Sequence, residues 1–318
     1  MRSLCVWIAC SVMGLAACSV EPDLSSVAAT RSRPVQRHDL TQAVATNGQV
    51  VVAGTQSGVV LVSADQGTTW AREPASGASM IGLAACPDGS FVGIDFYSRV
   101  WSSDVAGKRW TSVKLERPHT PLAVACDAAG AWWVSGTGSV IAVSRDRGAA
   151  WTVTDQGQDV QYTTLQFVDK DFGVATGEFG NVLVTEDGGT TWVKRPPVPG
   201  DFYPYATLFA NRNEGWTSGI AGQVMQTLDG GRTWQAQNNA TGAPLYRLFM
   251  HHGVPYGVGA VGTVARLDGD TWRAVSYPDA MPASLGAGVS LVGPNALLVG
   301  GPTGLLRRVA TVSTDSSR

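Results

Sequence analysis

The stretch Asn181-Val182-Leu183-Val184-Thr185-Glu186-Asp187-Gly188-Gly189-Thr190-Thr191-Trp192 constrains the fold more than any other part of the chain. Val182 and Val184 alternate as in a strand. Asp187-Gly188-Gly189 is a turn cluster, because glycine tolerates positive φ and an Asp carboxylate accepts nearby backbone N–H groups. Trp192 then opens a second strand. The phrase recurs at Ser63–Trp70, Ser144–Trp151 and Thr227–Trp234, with a longer copy at Ser102–Trp110 and a shorter one at Arg266–Trp272. Its tryptophans fall at 70, 110, 151, 192, 234 and 272. A period of about forty residues with several short strands per repeat is the signature of a β-propeller blade. The expectation is an all-β fold, a seven-bladed β-propeller of four-stranded repeats over residues 38–312.

Each repeat follows one plan. An apolar strand such as Tyr162–Val168 leads through a polar turn to a second strand. That strand ends at a Gly-x-x-Gly hairpin, seen at Gly177–Gly180, Gly219–Gly222, Gly259–Gly262 and Gly301–Gly304. The third strand carries the Asp phrase and the fourth starts at the Trp. In the second repeat Asp95-Phe96-Tyr97-Ser98 replaces the hairpin glycines. The seventh repeat lacks an Asp phrase and a closing Trp. A ring must close, because open sheet edges invite aggregation, so residues near Val35 to Leu40 are expected to supply its outer strand.

Residues 1–17 read as an export signal: Arg2 is the positive start and Leu4 to Ala17 is an apolar run too short to remain as a membrane span. The ending Leu15-Ala16-Ala17-Cys18 resembles the bacterial lipoprotein signal, which implies lipidation of Cys18, and Ser19 after it suggests the outer membrane facing the periplasm. Residues 18–37 then form a polar tether, and 313–318 a C-terminal tail. The net charge of −2 gives no field that favours nucleic acid. Cys86 and Cys126 lack metal-ligand spacing. They lie one repeat apart, which leaves open a disulfide near the axis or two small buried thiols. His251-His252 is a tempting metal pair, but neighbouring strand residues face opposite ways. No metal or cofactor is expected.

The Asp phrase resembles the Asp-box, or BNR, repeat. Turn locking and inter-blade packing account for Asp65, Trp70, Asp104, Trp110, Asp146 and Trp151, and for Asp187, Trp192, Asp229, Trp234, Asp268 and Trp272. This signal therefore reports fold rather than function. The opposite face gathers the second-to-third-strand hairpins and the loops between repeats, where binding resides on a rigid ring. There the candidates are Asp95, Phe96, Tyr97, Arg117, His119 and Glu178, with Phe179, Asp201, Tyr203, Tyr205, Tyr246 and Arg247. This aromatic and mixed-charge set suits a protein-binding surface.

Seven such repeats, the Gly-x-x-Gly hairpins and two copies of Asp-Gly-Gly-x-Thr-Trp resemble the photosystem II assembly and stability factor-like propellers. The resemblance implies a non-enzymatic role in which the ring binds a membrane or envelope protein complex, with the membrane reached through the N-terminal lipid. No basic patch like that of the photosynthetic members is identified here. The competing readings are a sialidase-like glycoside hydrolase, because Asp boxes occur there too, and a carbohydrate-binding module. The Arg-Ile-Pro expected of a sialidase is absent, and Asp95 and Glu178 are the only hairpin carboxylates available for two-acid hydrolysis.

Overall fold

The structure is a computed structural model that describes residues 23–75, 77–278, 282–293 and 295–310. Cys18, the export signal and the 313–318 tail lie outside the described residues. By contact the chain divides into residues up to Arg33 and residues from Pro34 onward. In the first part a helix, Ser25–Arg31, stands where irregular tether was expected, and the Asp23 carboxylate accepts the Ser25 N–H at its start at 2.9 Å.

From Thr41 the chain folds into consecutive antiparallel meanders. The first runs Thr41–Thr46, Val51–Thr55, Val59–Ser63, Ala71–Pro74, from the axis outward. The inner strands of the following repeats are Met80–Ala85, Pro121–Cys126, Tyr162–Phe167, Pro204–Phe209, Leu245–His251 and Ala287–Ser290. Each packs against the next, and Ala287–Ser290 returns to Thr41–Thr46, which closes the ring and makes the fold a β-propeller. The second strands, such as Val51–Thr55 and Gly173–Gly177, are buried at every position, because a repeat lies against each of their faces.

The core is not central. It is a set of apolar clusters, each shared by two neighbouring repeats. Trp133, Ile141 and Val143 of the third repeat pack with Ala175, Leu183 and Trp192 of the fourth. Phe172, Val174 and Val182 of the fourth pack with Phe209 and Trp234 of the fifth. Val51 packs with Leu291 and Leu298 across the junction of the first and last repeats.

The Asp phrase explains how these clusters form. In the fourth repeat the Thr185 hydroxyl donates to Asp187 Oδ1 at 2.8 Å and accepts the Gly189 N–H at 2.8 Å. The same carboxylate accepts the Thr191 N–H at 2.8 Å and its hydroxyl at 2.7 Å. The first and fifth repeats repeat this lock with Ser63, Asp65 and Thr69 and with Thr227, Asp229 and Thr233. In the third, Ser144 and Asp146 act on Gly148 and the Ala150 N–H. Gly189 has φ +80°, and a Cβ there would sit 1.9 Å from Cη2 of Trp133. The glycine is thus the flat floor onto which the preceding repeat sets its ring. Trp192 completes the contact edge-on to Trp133, with centroids 6.0 Å apart.

Two copies depart from this lock. In the second repeat Asp104 accepts the Lys108 N–H at 2.9 Å, but the donor that replaces the threonine hydroxyl is Arg109 Nε at 2.8 Å. In the sixth, Asp268 pairs with Thr271 across a two-residue turn, Gly269-Asp270, and its carboxylate meets Arg273 at 3.2 Å instead. The missing residue lets Thr271 and Trp272 pair in parallel with Asn238 and Asn239 of the fifth repeat, so these two sheets join at their outer edges.

The closure differs from expectation. The last sheet has three strands among the described residues, Ala287–Ser290, Ala296–Gly300 and Leu306–Ala310, and residues 35–40 do not pair with it as a fourth. Thr41 already begins the innermost strand, and three strand spacings, about 14 Å, separate that strand from an outer edge. The segment instead crosses the hairpin end of the last repeat. The Gly304 N–H donates to Asp39 O at 2.7 Å, the Thr41 N–H donates to Gly301 O at 3.0 Å, and the buried Asp39 carboxylate accepts two bonds from Arg72, the shorter at 2.6 Å.

Two links act near the axis. Cys86 and Cys126 form a disulfide, with Cα atoms 5.1 Å apart, that joins the ends of two adjacent inner strands. Between the fourth and fifth repeats runs a line of hydroxyls: Thr164 to Thr176 at 2.7 Å, Thr176 to Thr207 at 2.6 Å, and Thr207 to Thr217 at 2.9 Å. Thr217 ends it by donating to Ala206 O at 3.1 Å.

Gly189→Ala is expected to lower stability by about 2–4 kcal/mol, combining left-handed strain and overpacking. Gly200, at φ +87° with open space around it, isolates the backbone part, so Gly200→Ala should cost only about 1–2 kcal/mol. Equal losses in urea melts would refute the packing role of Gly189. The locks also set an acid limit. The Thr69 hydroxyl, with the Thr69 N–H and the Ser63 hydroxyl, brings the Asp65 carboxyl from 3.8 to about 2. Backbone N–H groups of Ala150 and Thr191 lower Asp146 and Asp187 in the same way. A depressed folded value stabilises above the unfolded value and is lost below it. The urea midpoint should therefore hold above pH ~4 and fall as pH drops from about 4 towards 2; a flat profile over that window would contradict the locks.

Candidate functional site

The hairpins between second and third strands meet the loops between repeats at one end of the ring. The Glu178 N–H donates to Gln161 O at 3.0 Å, and the Val198 N–H donates to Gly180 O at 2.9 Å. The two glycines permit this approach. A Cβ on Gly177 would lie 2.1 Å from Gln161 O, and one on Gly180 2.4 Å from Val198 O. With both ends pressed down, the residue before the second glycine is lifted into left-handed backbone. Phe179 has φ 57°, Ala221 58° and Val261 54°.

The lifted residues are exposed. Phe179 is 62 % and Val261 71 % accessible, and Ile220 beside Ala221 is 51 %. In the second repeat Phe96 and Tyr97 stand out at 61 % and 70 %. Tyr205 at the start of the fifth inner strand adds a further ring. The exposed aromatic side chains among the described residues, Phe96, Tyr97, Phe179 and Tyr205, all lie on this face. A β-branched residue with positive φ, such as Val261, is a genuine conformational outlier, and such strain clusters at functional positions.

The sequence candidates separate into distinct groups. Asp95 is not a surface acid. It is fully buried and accepts from Trp101 Nε1 at 2.9 Å, Tyr97 N at 2.7 Å and Arg99 N at 3.1 Å. It thereby secures the hairpin that lost its glycines and props up Phe96 and Tyr97. Arg117 pairs with Asp155 at 2.7 Å, an exposed contact worth little. His119 is exposed, and its carbonyl accepts from Ser98 Oγ. Asp201 is exposed in a left-handed turn, φ 49°. Glu178 is occupied on both oxygens, by the Gln161 N–H at 3.0 Å and the Tyr203 hydroxyl at 3.3 Å. Burial first, and the Glu178 charge second, push the Tyr203 phenol above its ordinary value.

Tyr205, Tyr246 and Arg247 belong together for a reason that spacing alone hides. Near the start of six inner strands the pairing register shifts by one residue. A bulge of this kind re-aims the extra side chain. The extra residues are Gln42, Ile81, Leu122, Thr163, Tyr205 and Tyr246. Ile81, Leu122 and Thr163 line an axial cavity, and Tyr205 meets Tyr246 edge-on at 5.3 Å. Arg247 also lines that cavity.

His251 and His252 lie closer than strand alternation implies, with ring centroids 4.4 Å apart. The strand ends at His251, and His252 turns at φ 47°. Their nitrogens are engaged by Ser290 Oγ and Gly293 O, both at 2.8 Å. No cluster of three metal-ligating side chains occurs among the described residues.

Ile220 and Val261 were not among the sequence candidates. The signal for them is the middle of the Gly-x-x-Gly hairpin, where an apolar residue has no neighbour to bury it.

A family model described as photosynthesis system II assembly factor YCF48 matches residues 102–277, more than half of the chain. No curated protein matches. Among solved structures, one described as YCF48 bound to D1 peptide is similar at 15% identity and TM-score 0.69, covering 88% of this chain and 95% of its own. YCF48 from Cyanidioschyzon merolae is similar at 15% identity and TM-score 0.67, covering 87% and 97%. Virginiamycin B lyase from Staphylococcus aureus is similar at 10% identity and TM-score 0.73, covering 87% and 96%. At these identities the likeness concerns the propeller fold.

Val261→Gly removes the left-handed penalty without removing a packed side chain. It should raise the urea midpoint by the equivalent of about 0.5–1 kcal/mol. A destabilised variant would show that Val261 packs within the ring and is not a presented side chain.

Proposed function

Because the chain belongs to the photosynthesis system II assembly factor YCF48 family, we propose that it is a non-enzymatic scaffold whose hairpin face binds a polypeptide segment of a membrane or envelope protein complex. The observation that carries this reading is the gathering of the exposed aromatic side chains on one face, three of them on hairpins held by internal hydrogen bonds. Rigid aromatic anchors give large contact area at low entropic cost. The solved structure of YCF48 with a D1 peptide supports a peptide as the kind of ligand such a ring takes. Catalysis has less support. Asp95, one of the two acids a hydrolase would need, is committed to the hairpin beneath Phe96 and Tyr97, and Glu178 is held by Gln161 and Tyr203.

We place the protein outside the cytoplasm, tethered by a lipid on Cys18 to the outer membrane and facing the periplasm. The Leu15-Ala16-Ala17-Cys18 motif and Ser19 support this, and a Cys86–Cys126 disulfide suits an oxidising compartment. No helix among the described residues is long and apolar enough to cross a membrane.

A photo-crosslinker placed at Tyr97 or Phe179 should give one discrete adduct in intact membranes. The same group at Leu228, exposed on the opposite face, should give none. Equal labelling from both faces, or turnover of a glycan by purified protein, would overturn the scaffold reading.

A further inference from the structure

In the six inner strands that carry a bulge, the residue following the bulge is Ala43, Gly82, Ala123, Thr164, Ala206 and Arg247. Five are small, as the taper of a ring towards its axis requires. Arg247 alone breaks the series. It lines, with Gly82, Ala123, Thr164 and Ala206, an axial cavity of about 90 Å³. That space holds a few waters or one small solute.

The cavity offers this cation no opposite charge: its remaining lining is Ile81, Leu83, Leu122, Val124, Leu165, Leu248 and threonine. Arg247 makes no ion pair among the described residues. The hydroxyl protons of Thr164 and Thr207 are committed along the line that ends at Ala206 O. The donors left are the guanidinium fork and the N–H groups on the open axial edge of each inner strand, which pairs on its other side only. A guanidinium stays charged in proteins, so it needs water or an anion. Arg247 is exposed to the channel, so its fork is open to an entering anion, which would supply the charge-assisted hydrogen bonds that the walls do not.

We propose that the axial channel is a binding site for one small carboxylate, held in bidentate fashion by Arg247. A carboxylate matches the planar fork of guanidinium and accepts further N–H donors at its free lone pairs. This site is independent of the hairpin face, and its test uses the purified propeller without a partner.

Sodium formate titrated into the ¹⁵N-labelled protein at constant ionic strength should shift the amide signals of Thr164, Ala206 and Leu248 to saturation. Arg247→Met should weaken formate binding about tenfold or more, the equivalent of one charge-assisted hydrogen bond. Arg247→Lys retains a cation but not the fork, and should bind with intermediate affinity. Unchanged affinity in both variants would overturn the proposal. So would shifts that never saturate, or equal saturation by sodium chloride, which has charge but no fork to match. Should Arg247→Met fail to fold, the wild-type saturation, the chloride comparison and the lysine variant still decide it.

Discussion

The structure depends on one constraint: in the repeats with a complete Asp phrase, the turn before the outer strand must present a flat floor to the preceding repeat. Three groups enforce it together. A Ser or Thr hydroxyl and an Asp carboxylate hold the turn from inside, and the glycine two residues after the Asp has no side chain. At Gly189 the floor receives Trp133, and Trp192 closes over the edge of the same ring. Since the apolar clusters are shared between repeats, no repeat can bury its own core alone. The locked turns therefore do more than shape hairpins. They set the angle at which one repeat meets the next, and the ring closes only if those angles agree.

Rigidity on one face has a use on the other. The same four-stranded plan that puts the locks at one end puts the Gly-x-x-Gly hairpins at the opposite end. There the backbone is pressed against the loops between repeats, and the middle residues are forced outward. Phe179, Ile220 and Val261 are exposed because the turn leaves them no other direction, while Asp95 gives Phe96 and Tyr97 the same presentation by a different route. The surface proposed to bind a polypeptide is thus held by internal hydrogen bonds, and little ordering remains to be done when a partner arrives.

Much of this was legible in the chain before any coordinates. The recurring Asp-to-Trp phrase carried the all-β class and the repeat length, because its spacing records a turn whose geometry admits few residues. Strand direction placed the candidate face. Other features were not legible for physical reasons. Asp95 reads as a free acid, since nothing in spacing shows that Trp101 reaches back to it. The segment at residues 35–40 was assigned as a strand from the need to close a sheet, yet its distance from Thr41 leaves no room to cross to the outer edge. The bulges that align Tyr205, Tyr246 and Arg247 leave no residue signature, because they arise from pairing register and not from composition. The missing residue in the sixth Asp phrase was visible, but its effect, the pairing of two outer edges, was not.

The line of threonines between the fourth and fifth repeats has a direction as well as a position. Each hydroxyl has one proton. Thr217 spends its own on the Ala206 carbonyl, so it can only accept from Thr207. Thr207 must then accept from Thr176, and Thr176 from Thr164. A single backbone oxygen therefore dictates the orientation of four rotors that span two repeats. The O–H dipoles add instead of cancelling, and each bond polarises the next. The wall of the channel carries a small fixed polarity at this point, its O–H bonds all directed from Thr164 towards the Ala206 carbonyl. The two repeats are matched in electrical sense as well as in shape.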